Sequence, residues 1–180
     1  MARITRRMQV PATVANPTDS SDRIISSDRN TTETPLRLHG ETVRKEWTDY
    51  NGHLNDGYYA VIFSHATDAF LEFAGIDAAY RARSRRTVFT GEMKIRYRHE
   101  VRAGDDVVIE TRLGAMDAKR FTLHHRMRHA VDGTILADSE VLNLSIDTTG
   151  PKVAPFEAEI HDRLSEIRAV HAAAAEDEKG

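Results

Sequence analysis

No cysteine occurs in the 180 residues. Its absence excludes disulfides, thiolate zinc sites and a thiol nucleophile, and it fits a reducing cytoplasm as the expected compartment. No apolar run is long enough to span a bilayer. The N-terminal arginines Arg3, Arg6 and Arg7 are not followed by an apolar stretch, so the start does not read as a secretory signal. An excess of one charge is missing too: 25 Lys and Arg against 28 Asp and Glu leave a net charge of −3, and with it goes the bulk electrostatic case for nucleic-acid binding. Internal repeats are not found. What is present is 40% hydrophobic residues, enough for one packed domain with tails to spare.

Residues 1–35, rich in Ser, Thr, Asp, Asn and Arg, carry no sustained period and read as a flexible or loosely extended segment, a solvated tail or an arm that docks on a partner subunit. A short strand is predicted over about 41–47. Tyr59, Ile62, Phe63, Ala66, Phe70 and Phe73 then recur at helical spacing after a capping Asn55, and Gly75 suits a left-handed stop. This predicts an amphipathic helix of about five turns. The basic stretch 81–86 reads as a loop or a short helical end. Val88 to Val101 alternates, with Phe89, Met93, Ile95 and Tyr97 on one face and Thr90, Glu92, Lys94, Arg96 and Arg98 on the other. Further strands follow at 107–113, 121–127 and 134–147, divided by Gly104, by 115–119 and by the Asp132-Gly133 hairpin signal. The apolar phase slips between Ala137 and Leu142, which predicts a bulge there. A second helix is predicted over 156–175. Short turns imply an antiparallel meander, and a helix on one face of it implies an α+β fold.

Chemistry concentrates in residues 47–59, WTDYNGHLNDGYY. Asp49, Asn51 and His53 directly precede the helix, whose first N–H groups, those of Asp56 and Gly57, lack intrahelical acceptors and suit a developing oxyanion. Asp49 is placed to activate water or to attack a carbonyl itself, or else merely to start a turn. His53 and Asn51 are candidates to orient it. Asn55 reads as a cap that also borders the site. Trp47, Tyr50, Tyr58 and Tyr59 supply aromatic faces suited to a quaternary ammonium, and Thr90 and Glu92 are further substrate-binding candidates, Glu92 as a counter-charge. Arg85, Arg86, Lys119 and Arg120, with Arg81 and Arg83, are candidates for binding phosphate. His124, His125 and His129 do not share one strand face, and His53 and His65 form no evident ligand pair, so no metal is expected.

DYNGHLNDGYY and the following ATDAFLEFAGID resemble the hotdog-fold acyl-CoA thioesterases of the 4-hydroxybenzoyl-CoA thioesterase type. The resemblance covers roughly 36–155, leaving 1–35 and a C-terminal helix with an acidic tail, 156–180, outside it. EWTDYNGHLNDGYY together with DAAYR, TGEMKIRYRHEV, DAKRFTLHHRM and GPKVAPF is most similar to the betainyl-CoA thioesterases of carnitine breakdown. This implies a five-stranded sheet wrapped around a long helix, no cofactor, and a dimer or dimer of dimers joined edge to edge, with the site at the subunit boundary. It also implies an acyl-CoA substrate, with no role for nucleic acid or membrane. Some relatives place a glutamate on the helix instead. Asp68 and Glu72 are there, but Asp49 stands at the family's position before the helix start. Two rival functions are an enoyl-thioester hydratase, whose usual Asp/His arrangement is not found, and a non-catalytic acyl-CoA-binding module, which has little need of an acid at a helix mouth.

Overall fold

The computed structural model describes residues 34–177. The N-terminal segment, apart from its last two residues, therefore lies outside the described part. The core element is α1 (Asp56–Phe73). Asn55 caps it, its side chain accepting from the Gly57 N–H at 3.0 Å, and its buried stripe is Tyr59, Ile62, Phe63, Ala66 and Phe70. The helix stops where Gly75 turns left-handed at φ 86° and the Ile76 N–H reaches back to the Leu71 carbonyl at 2.8 Å.

Around α1 curls an antiparallel sheet of β1 (Leu36–Thr42), β2 (Arg86–Tyr97), β3 (Asp106–Met116), β4 (Arg120–His129) and β5 (Ile135–Asp147). Their order is β1-β3-β4-β5-β2, and the short β6 (Lys152–Val153) pairs with the end of β5. The inner face is mostly apolar, with Thr111, His125, Ser139, Asn143 and Ser145 also buried. Ile109, Leu123, Met127 and Val141 are fully buried against the helix side. Two further helices complete the shell, the short α2 (Ala78–Ser84) and the long α3 (Ala158–Asp177). Ile160, Leu164 and Ile167 of α3 join Leu36, Phe70 and Leu123 in one core cluster.

The element types follow the sequence pattern, but several boundaries and phases do not. The first strand begins earlier than predicted, at Leu36, and Lys45–Trp47 is a 3₁₀ turn rather than strand. β3 runs on to Met116, inside the predicted turn. β5 shows no slip between Ala137 and Leu142. Ala137, Ser139, Val141, Asn143 and Ser145 all point inward, and three of these five are polar, so the apolar phase misleads. The irregularity sits in β2 instead, where Thr90 pairs with Asn143 and Glu92 with Leu142, leaving Gly91 unpaired. That extra residue turns Phe89, 52% exposed, away from the face of Met93.

α3 explains how one sheet edge is satisfied. β1 begins opposite Thr111, so Leu113 lies past its end. The Leu113 N–H donates instead to Nδ1 of buried His171 on α3, at 2.8 Å.

Candidate active site

Residues 48–55 form a loop stitched at both ends. The Leu54 N–H donates to the Val101 carbonyl at 2.7 Å and the Asn55 N–H to the Trp47 carbonyl at 2.9 Å. Inside it Asp49 folds the chain back on itself. Its Oδ1 accepts from the N–H groups of Asn51 (2.8 Å) and His53 (3.2 Å), while Oδ2 receives only a long contact from Asn51 Nδ2 (3.4 Å). Partial desolvation works to raise the Asp49 pKa, but the Asn51 and His53 hydrogen bonds outweigh it and hold the carboxyl below the usual range, so it is charged at neutral pH. Gly52 makes the turn at φ 78°.

Asp49 opens onto a cleft of ≈ 500 Å³ between this loop, the start of α1 and the end of β2. His53, Asn55, Asp56 and Tyr59 line it from the near side, Tyr97 and Glu100 from the far side. His53 Nε2 is 3.1 Å from Glu100 Oε2. The Tyr59 and Tyr97 rings meet edge to face at 5.0 Å. Burial, with Tyr97 and Glu100 nearby, pushes the Tyr59 phenol up to about 12, and burial followed by Asp56 raises that of Tyr97. Both phenols are therefore neutral at ordinary pH.

The helix mouth is partly occupied by the protein's own cap. The Gly57 N–H already donates to Asn55 Oδ1 and, at 2.9 Å, to Asp56 Oδ1. Asp56 holds the first helical position, whose N–H has no intrahelical acceptor.

The other candidates fall elsewhere. Trp47 is buried; Tyr58 stacks on it at 5.4 Å and the Arg44 guanidinium lies 4.7 Å from its ring centroid, so packing engages its surface. Tyr50 is 97% exposed; Asn51 is exposed and does not line the cleft, but it meets both oxygens of Asp49. Thr90 and Glu92 lie mid-way along β2 and do not line the cleft. Arg85 and Arg86 sit at the opposite end of β2 from Tyr97, roughly 36 Å along the strand. Arg86 pairs with Asp147 at 3.0 Å, Arg120 with Asp117 at 2.7 Å, and Lys119 accepts the Ser145 N–H through its carbonyl. Arg81 ties down the Ile76 carbonyl and Arg83 pairs with Glu159. Within one chain the basic group and the cleft are apart.

Leu54, Tyr97, Arg98, His99 and Glu100 line the cleft and were not among the site candidates of the sequence reading. The available signal was the run Tyr97-Arg98-His99-Glu100, polar and aromatic at a strand end just before the Gly104 turn. It was hidden because the strand was extended through it to Val101.

A charged carboxylate beside a helix start, on a sheet wrapped around that helix, defines a class. The model of the thioesterase-like superfamily matches residues 43–164, and the chain belongs to that family, with its hotdog fold. More particularly, it is 39% identical over 138 residues to the betainyl-CoA thioesterase of Pseudomonas aeruginosa, covering 77% of this chain and 87% of that one. It is 38% identical over 135 residues to the L-carnitine dehydrogenase/betainyl-CoA thioesterase of Agrobacterium fabrum, covering 75% of this chain but only 28% of that longer protein. Among solved structures, a putative thioesterase of Pseudomonas putida superposes with a TM-score of 0.66 at 36% identity, over 76% of this chain and 87% of that one. A Staphylococcus aureus protein solved in complex with CoA superposes with a TM-score of 0.72 at 24% identity, over 77% of this chain and 88% of that one, a likeness of fold.

Proposed function

We propose that the protein hydrolyses a small acyl-CoA, betainyl-CoA by preference, to the free carboxylate and CoA. The observation that carries this is the placement of the charged Asp49 at a cleft that also holds the start of α1. Asp49 Oδ2, the less engaged oxygen, takes a proton from water. The water oxygen bonds to the thioester carbonyl carbon, the carbonyl oxygen becomes negative against the Asp56 N–H, and the C–S bond then breaks. The C=O bond re-forms as the thiolate leaves with its electron pair, and the thiolate takes the proton held on Asp49, giving CoA and restoring the carboxylate, while the acid product ionises to solvent. Gly57 adds its N–H only by giving up both Asn55 Oδ1 and Asp56 Oδ1. Single turnover in ¹⁸O-water tests this route: label appearing in the Asp49 carboxylate would assign it attack on the carbonyl instead.

The betainyl group carries a quaternary ammonium. Tyr59 and Tyr97 offer neutral aromatic faces, and Glu100 and Asp56 offer negative charge at the same cleft. Two copies of the chain complete the site. β2 has no neighbour on its outer side among the described strands. A two-fold antiparallel pairing centred on β2 brings the Arg85–Arg86 end of one copy to the Tyr97 end of the other. That juxtaposes the basic group with the cleft and provides for the phosphates of CoA. The proposed compartment is the cytoplasm; among the described residues no helix is long and apolar enough to cross a membrane.

A free-thiol assay over a panel of acyl-CoAs tests the reading. Thiol release from betainyl-CoA without any enoyl substrate is expected, with Tyr97→Ala losing kcat/KM about tenfold more on the cationic thioester than on a neutral one of equal size. Binding without turnover would make the chain a binding module, and equal losses on both thioesters would remove the aromatic contact.

A further inference from the structure

Away from the cleft, β1 and α1 bring three potential metal ligands together. His39 and Glu41 stand two apart on β1, so they project from one face of the strand. His65 comes from α1, nine residues beyond Asp56 and thus roughly 13 Å down the helix from its start. One carboxylate oxygen, Glu41 Oε1, lies 2.8 Å from His39 Nε2 and 3.1 Å from His65 Nδ1. The three ligand atoms all fall within 4.8 Å of one another, and no other group of three His, Asp or Glu side chains converges in this way among the described residues. The two imidazoles meet edge to face, with centroids 5.6 Å apart. Ligands held about 2.0–2.1 Å from a tetrahedral ion are themselves roughly 3.3 Å apart, close to the two imidazole–carboxylate spacings of 2.8 and 3.1 Å.

From this geometry we propose that His39, Glu41 and His65 form a binding site for a divalent first-row transition ion, zinc in the first instance. Two imidazoles and one carboxylate suit zinc, cobalt or nickel and not magnesium or calcium, which prefer all-oxygen shells. Without an ion, both imidazoles must direct a proton at the same carboxylate oxygen; a cation replaces both protons and draws on all three lone pairs. The side chains of His39 and Glu41 are mostly buried, at 19% and 14% exposure, and fix two positions. His65, at 45%, leaves room for water as a fourth ligand. The ion clips the edge strand β1 to the central helix. The site is independent of the thioesterase reading, since it lies on the sheet edge opposite β2 and shares no residue with the cleft.

The test uses the untagged full chain, stripped with a chelator and titrated with Zn²⁺ by calorimetry, with thermal unfolding followed in parallel. One equivalent of zinc is expected, accompanied by a rise in Tm that Mg²⁺ does not produce. Cobalt substituted for zinc should give the strong visible absorption of a tetrahedral site. His39→Ala, His65→Ala and Glu41→Gln should each weaken the binding at least about tenfold. His65→Ala is a change to a better helix former on an exposed face, so it keeps the fold and the basal activity. No saturable equivalent in the wild type would overturn the proposal. Equal affinity in the His39→Ala/His65→Ala double variant would also overturn it and assign the zinc to other histidines.

Discussion

Asp49 does two things with one side chain. Its Oδ1 organises the turn through two backbone N–H groups, and its Oδ2 keeps hydrogen-bonding capacity to spare in a side chain that lines the cleft. Asp49→Asn separates the two roles, because the amide oxygen still accepts from the loop amides while the base is lost. Turnover should fall by about 10²–10⁴-fold with the fold and thermal stability nearly unchanged; wild-type turnover in this variant would remove Asp49 from the chemistry. Sequence alone nominated Asp49, His53, Asn55, Asp56 and Tyr59, which line one cleft because they lie close together and a loop before a helix keeps neighbours together. It equally nominated Trp47 and Tyr50, which the fold separates from the cleft, one into the core and the other into solvent. Residue type tells that a ring can hold a cation; only packing tells whether its face is free.

At the scale of elements, α1 and its cap link stability to chemistry. Asn55 Oδ1 satisfies the Gly57 N–H, one of the donors at the mouth of the helix. Asn55→Ala should cost about 1 kcal/mol of stability, measured as a lower urea midpoint. The same variant leaves the Gly57 N–H to Asp56 Oδ1 alone and loosens the helix start, so turnover should fall, but by less than the loss of Asp49 produces; a loss as large as that of Asp49→Asn would make Asn55 more than a cap. The helix was legible from the 3.6-residue recurrence of Tyr59, Ile62, Phe63 and Phe70, and its ends from Asn55 and Gly75. The bulge in β2 was not. Alternation reads apolar against polar, and it fails where Ser139, Asn143 and Ser145 fill inward positions and Gly91 offers no side chain to count.

Two properties belong to the whole molecule. The first is assembly. With a site whose phosphate contacts come from a second copy, light scattering should report twice the 20.2 kDa chain, and specific activity should fall on dilution through the dissociation constant. Full activity in a monomer of 20.2 kDa would refute the two-copy site. The second is acid sensitivity. His125 is fully enclosed between helix and sheet. Thr67 Oγ1 gives its proton to the Phe63 carbonyl and so accepts from His125 Nε2, which leaves His125 Nδ1 to accept from Thr111 at 2.9 Å. Burial, with small contributions from His124 and His39, drives its pKa down to about 3, and burial and then Arg112 bring His171 to about 4. Unfolded histidine titrates near 6.5. Between that value and the folded ones, the unfolded chain binds protons that the native chain does not. The stability is therefore complete above about pH 6.5 and declines as pH falls, by about 1.4 kcal/mol per pH unit for His125, with His171 adding in the same direction. Urea midpoints measured from pH 7.5 to 5 should show the decline, and a flat profile would contradict the neutral, buried histidines.

Periodicity and local turn chemistry were enough to establish the main strands, the long helix with its cap and the loop that carries Asp49, and motif resemblance pointed to the family, since each is written in residues close together in the chain. Three things were decided by tertiary structure. Tyr97 and Glu100 came to face Asp49, His171 completed the hydrogen bonding of β3, and His65 met His39 and Glu41. All three join residues distant in sequence, and their meeting depends on sheet curvature, register and helix placement. These are set by the packing of the entire core, which no local window of sequence contains.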